Sequence, residues 1–214
     1  RLIPEAMSGE NQNLTHYDPY QVKPVKDTRA GKYSIILAIG ESLNPHHVSA
    51  LGYERDTTPE LKALLQQYQG TGRLIVSNAV STRVAIPMLV NNLREPDNYG
   101  AYKSKSTNIF ANAKKQGYQT AFISAQGLEG LSNWIGIHDI DLWEDTQIRP
   151  APDVGADVVL TPSVEKATLD WNKPFLMVLN SRAPHIPYER NIPQGFAKFS
   201  TPRLSDDVAQ KKNE

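Results

Sequence analysis

Residues 33–39 read Tyr-Ser-Ile-Ile-Leu-Ala-Ile and stop at Gly40-Glu41-Ser42. A short continuous apolar run closed by a turn signal is how a parallel strand covered on both faces reads. Such a strand needs crossover connections and helices to cover it. The same grammar recurs downstream. Apolar runs over 74–80, 119–123 and 175–179 predict three more strands. Between the runs, apolar periodicity predicts helices over 60–68, 87–93, 107–116 and 154–169. The first is expected to be capped by Thr57 or Thr58 with Pro59 in its first turn, the third to end at Gly117, and the last to break near Pro162. Strands alternating with helices give an α/β fold, a three-layer α/β/α sandwich on a mostly parallel sheet.

The 214 residues suit one domain and show no internal repeat. Lys+Arg and Asp+Glu are both 23, so the chain lacks the basic excess of a nucleic-acid binder. It has no cysteine, which excludes disulfides and thiolate-bound metal. No run of about 18 apolar residues is present to span a membrane. Residues 1–32 are polar with scattered prolines and read as an arm or linker. The chain opens at Arg1 and closes on a charged tail, so both ends are expected to be cuts, with any membrane anchor upstream.

In parallel sheets ligands bind beyond the carboxyl ends of the strands. Four loops therefore bear inspection: 40–42, 81–83, 124–126 and 180–185. Glu41 can ligate a metal or act as a base, or can simply stabilise a helix amino terminus. Ser81 and Thr82 can cap a helix. A hydroxyl at that position can also be a nucleophile, if a base or metal lowers its pKa. His46 and His47 follow Asn44-Pro45 close to Glu41 and read as exposed loop residues. His185 lies in the stiff loop Pro184-His185-Ile186-Pro187 and can contact a phosphate or protonate a leaving group, or can merely pack.

Residues 39–61 carry Gly40-Glu41-Ser42, Ser49, Gly52-Tyr53, Arg55 and Thr57-Thr58-Pro59. This composite resembles the signature of phosphoethanolamine transferases of the alkaline phosphatase/sulfatase superfamily. The stretch 77–87, with Thr82 five residues before Pro87, resembles their nucleophile segment. The stretch 173–188 resembles their strand and loop bearing a phosphate-contacting histidine. The likeness covers about residues 33–199 and is nearest the lipopolysaccharide core and lipid A branch. It implies an alkaline phosphatase/sulfatase-like domain over 33–214, in the periplasm, anchored to the inner membrane by a segment upstream. It implies zinc held by Glu41 and Thr82. Thr82 would take phosphoethanolamine from phosphatidylethanolamine, and a lipopolysaccharide or lipid A phosphate would receive it. His185, Gln126 and Asn180 would contact substrate.

Three features depart from the family pattern. The family completes its metal site with an Asp-His pair, and this sequence has no Asp-His dipeptide; Ser205-Asp206-Asp207 is no substitute. Several relatives carry His where Asn180 stands. Many lipid A enzymes carry disulfides. The expectation is a domain truncated at its carboxyl end and inactive by itself. The alternatives are a glycerol-phosphate transferase or phosphodiesterase on the same fold, or a non-catalytic sulfatase-like domain that binds or senses lipid.

Overall fold

The structure is a computed structural model that describes residues 31, 33–95, 99–128, 130–146, 155–170, 172–183, 185, 191–192, 195 and 198–199. Most of the expected arm, and Ser205 to Asp207, lie outside the described residues. Four parallel strands form one sheet in the order β1-β4-β2-β3, with β1 Ile35–Ile39, β2 Gln119–Ser124, β3 Leu142–Glu144 and β4 Phe175–Asn180. The helices are α1 Pro59–Gln67, α2 Thr82–Val90, α3 Tyr99–Ser104, α4 Ile109–Lys115, α5 Ser132–Ile135 and α6 Leu160–Asp170.

Alternation along β2 and β4 sorts side chains to the two faces of the sheet. Phe122, Leu176 and Val178 pack with Ile86 and Val90 of α2, Phe110 of α4 and Ile135 of α5. Ala121, Ile123 and Met177 pack on the other face with Ala167 of α6. Phe122 is fully buried; it stacks on Trp143 at 4.8 Å and meets Phe110 edge-on at 6.4 Å. These are the three layers expected of the alternating pattern.

Two strand expectations need correction. Residues 74–80 form no strand: Leu74, Ile75, Val76 and Val80 are all strongly exposed in irregular chain. Apolar composition supports a strand only where a sheet edge is there to pair with it, and none does so here. β1 does form, but as an edge strand. Leu37 and Ile39 lean on the core while Ile35 and Ile36, on opposite faces, are half exposed.

The helices are closer to expectation. α2 starts at Thr82 and runs through Pro87, whose missing N–H removes only the bond that the Arg83 carbonyl would accept. α4 is capped by Asn108, whose side chain accepts from the N–H groups of Phe110 and Ala111. In α6 the prolyl residue Pro162 falls in the first turn, where a missing N–H costs little, and the irregularity lies before it as a 3-10 turn over Ala156–Val159. The short elements β3, α3 and α5 have no periodicity long enough to read in advance.

The signature stretch after β1 is a hydroxyl knot. Ser49 Oγ accepts from Thr58 N–H at 2.9 Å, and Thr58 Oγ1 accepts from Ala50 N–H at 3.1 Å. Thr57 Oγ1 accepts from Ser49 N–H at 3.1 Å and donates to His47 O at 2.6 Å. Gly52 turns the chain at φ 105°, a region that favours glycine. Thr58 precedes α1 but does not cap it, because its hydroxyl is engaged across the knot. Most of the signature therefore builds a scaffold loop.

Candidate active site

The carboxyl ends of β1, β4 and β2 lie side by side, with Ile39 opposite Asn180 and Asn180 opposite Ser124. The ladder runs on past the strands: Ser181 N–H donates to Ile39 O at 3.0 Å and Ala125 N–H to Asn180 O at 2.9 Å. Three loops leave this rim together. After β1 the chain turns sharply, with Ser42 in the left-handed region at φ 55°, and Glu41 is set half-buried.

Thr82 is the first residue of α2, and its Oγ1 donates to Glu41 Oε1 at 2.8 Å across forty-one residues of sequence. Neither hydroxyl at this helix start acts as a cap. Ser81 holds the cap position without a side-chain bond, and Thr82 is committed to the carboxylate. The carbonyl of Ser81 accepts from Val84 and Ala85. The N–H groups of Thr82 and Arg83 thus have no backbone acceptor among the described residues, and donors at a helix amino terminus suit an anion. A cavity of about 240 Å³ opens here, between Ser81, Thr82 and Arg83 on one side and Gln126, Gly127, Leu128 and Leu131 on the other.

Gln126 Nε2 lies 3.4 Å from Glu41 Oε2 and 3.0 Å from Ser181 O. Asn180 is fully buried and donates through Nδ2 to Ser124 Oγ at 3.0 Å. It stands behind the rim, so a substrate could not touch it without the strand end moving. His185 lies in the loop after β4. Its N–H donates to Arg182 O at 2.9 Å, and its carbonyl accepts from Asn191 Nδ2. His46 and His47 sit in an exposed 3-10 turn, with His47 tilted against Tyr53 at 5.1 Å.

Two residues at this rim had no assigned role in the sequence. Ser124 closes β2 and is almost wholly buried. Asp157 accepts from the N–H groups of Arg182 and Ala183, the latter at 3.0 Å, and so fixes the start of the loop that leads to His185. Ser124 looks like any strand-end serine, and Asp157 lies some 25 residues away in the chain, so no local pattern marks either.

Glu41 and Thr82 offer oxygen donors of the kind that bind zinc. They are two where a tetrahedral ion needs four. Among the described residues no group of three His, Cys, Asp or Glu side chains is placed to hold a metal ion. The donor set fits zinc in kind but not in number.

Comparison with known proteins agrees with this architecture. The C-terminal periplasmic domain of EcEptC from Escherichia coli, solved in complex with Zn, superposes with a TM-score of 0.57 at 22% identity, over 85% of this chain and 54% of that one. The C-terminal periplasmic domain of the phosphoethanolamine transferase EptC from Campylobacter jejuni gives 0.55 at 18% identity, over 83% and 54%. Among curated sequences, YhbX of Escherichia coli (strain K12), which carries a provisional transferase name, is 28% identical over 186 residues. That match takes in 85% of this chain and 32% of YhbX, so the chain spans about a third of that relative's length. The Sulfatase family matches residues 34–212, nearly the whole sequence, and the chain belongs to that family.

Proposed function

We propose that this chain is part of a periplasmic phosphoethanolamine transferase in which Thr82 is the nucleophile. The observation that carries the reading is the 2.8 Å hydrogen bond to Glu41 Oε1 from the hydroxyl of Thr82, a residue that lines the cavity. A threonine hydroxyl is a poor nucleophile unless a neighbour takes its proton or stabilises its anion. Glu41 stands where it can accept that proton.

In the proposed step Thr82 Oγ1 attacks the phosphorus of phosphatidylethanolamine. The bond from phosphorus to the glycerol oxygen breaks, and diacylglycerol leaves with a proton. Phosphoethanolamine stays on Thr82 until an acceptor hydroxyl or phosphate, on lipopolysaccharide core or lipid A, displaces it. The N–H groups of Thr82 and Arg83 at the start of α2, which have no backbone acceptor among the described residues, would offset the charge that develops on the phosphoryl oxygens. His185 is proposed to contact the same group. A zinc ion held by Glu41, Thr82 and donors from outside the described residues would offset that charge and favour the ionised hydroxyl. The periplasmic location rests on the EptC domains that this fold resembles. Among the described residues no helix is long and apolar enough to cross a membrane.

The test is release of fluorescent diacylglycerol from labelled phosphatidylethanolamine by the full-length protein. Thr82→Ala is expected to lower the rate by about a thousandfold or more; release that survives unchanged would sink the assignment. A donor set of two oxygens among the described residues favours a second reading, a non-catalytic lipid-binding domain. It predicts saturable binding of phosphatidylethanolamine vesicles with no diacylglycerol released under any metal condition. Transfer of labelled glycerol phosphate from phosphatidylglycerol to an acceptor, with diacylglycerol released, would instead identify a glycerol-phosphate transferase.

A further inference from the structure

We infer that Gln126 is a positioning residue for the Glu41 carboxylate and not a contact for the phosphoryl group. The kinetic part of this inference rests on the transferase reading; the structural part does not. The carboxamide nitrogen of Gln126 has two hydrogens, and both have acceptors: Ser181 O at 3.0 Å and, more weakly, Glu41 Oε2 at 3.4 Å. Turning the amide over would set its oxygen against a carbonyl oxygen and a carboxylate oxygen, so the partners fix its orientation. The one polar side-chain atom left is Oε1, an acceptor, which repels a phosphoryl oxygen. Gln126 lines the cavity but has no donor to spare for an anion.

What the amide does instead is hold one end of Glu41. The two carboxylate oxygens are divided: Oε2 faces Gln126, while Oε1 takes Thr82 Oγ1 at 2.8 Å and Ser42 Oγ at 3.3 Å. Restraining Oε2 limits rotation of the carboxylate and keeps Oε1 on the nucleophile. Gln126 is itself fixed from behind. Ser124 Oγ donates to Gln126 O at 2.9 Å, accepts from Gln126 N–H at 3.1 Å and accepts from Asn180 Nδ2 at 3.0 Å. Ser124 is 1% exposed and Asn180 0%, so this anchor is shielded from water. The ends of β2 and β4 thus set the angle of a carboxylate in the loop that follows β1.

Two measurements on the full-length protein test the inference. In steady-state kinetics with fluorescent phosphatidylethanolamine, Gln126→Leu, which keeps the size and removes the donors, should lower kcat by about ten- to a hundredfold. KM for the donor lipid should stay within about twofold. A raised KM with kcat retained would mark a substrate contact and overturn the proposal. The second measurement needs no turnover. The side-chain amide resonances of Gln126 in ¹⁵N NMR spectra should shift, and exchange faster with solvent, on Glu41→Ala. Resonances that stay in place overturn the proposal even if the wild type proves inactive on phosphatidylethanolamine. Conversely, a wild type without turnover whose resonances do move refutes the transferase reading and leaves Gln126 in its assigned place.

Discussion

Thr82 and Glu41 illustrate how little of a paired site is visible in either residue alone. A threonine after an apolar run reads as a cap, and a glutamate after another reads as a dipole partner. The fold removes both bland roles by giving each side chain the other as partner. Glu41→Gln should keep the fold and lower turnover by about a hundredfold or more, since a neutral amide accepts no proton. Thr82→Ser should keep measurable turnover where Thr82→Ala does not; equal loss in the two would show that the hydroxyl is not the group that acts. The residues on the rim that were legible are those in family motifs. Ser124 and Asp157 were not, because their roles exist only once distant strand ends are adjacent.

Away from the site, the surroundings of Asp141 move its pKa. Burial pushes its carboxyl upward. The hydrogen bond from Lys114, the Thr120 N–H at 2.9 Å, the Lys114 charge and the Thr120 hydroxyl together outweigh burial and hold the pKa below the ordinary 3.8. A depressed carboxylate stabilises the folded state above the ordinary value and loses that contribution as pH falls through the lowered one. Acid titration of stability should therefore show a component below pH 3.8 that Asp141→Asn abolishes; an unchanged acid limb in the variant contradicts the assignment.

Among the elements, the loop of Ser49, Thr57 and Thr58 shows why a long motif need not be catalytic. Its hydroxyls satisfy part-buried backbone N–H groups, and removing one partner leaves a donor stranded. Ser49→Ala should cost about 1–3 kcal/mol and loosen the amides of Ala50 and Thr58 first, as hydrogen exchange would show. The strands teach a complementary lesson. Phe122→Ala, in the centre of β2, should cost about 3–5 kcal/mol, whereas Ile36→Ala on the exposed flank of β1 should stay within about 0.5 kcal/mol. Comparable losses by denaturant unfolding would mean that β1 is covered in solution. Periodicity and apolar runs located β1, β2, β4 and four of the helices, with α2 expected over 87–93 and found at Thr82–Val90. They failed at 74–80 because a strand is a relation between two segments, and sequence shows only one of them.

At the scale of the whole molecule, alternating strands and helices dictated a parallel sheet with covered faces, and a parallel sheet places its loops, and so its chemistry, at one edge. That chain of reasoning was legible in the sequence. The expected metal site is present only in part: Glu41 and Thr82 converge, and among the described residues no group of three His, Cys, Asp or Glu side chains is placed to hold an ion. The chain spans about half of the EptC domains it resembles, 54% in each, and about a third of YhbX. The whole protein is therefore the right object for functional tests.

The most direct of these is to quench the full-length protein during turnover with phosphatidylethanolamine and weigh it by mass spectrometry. The account predicts a mass gain equal to one phosphoethanolamine, mapped to the peptide containing Thr82, and missing in Thr82→Ala. An adduct on any other side chain, or undiminished turnover in that variant, would contradict it.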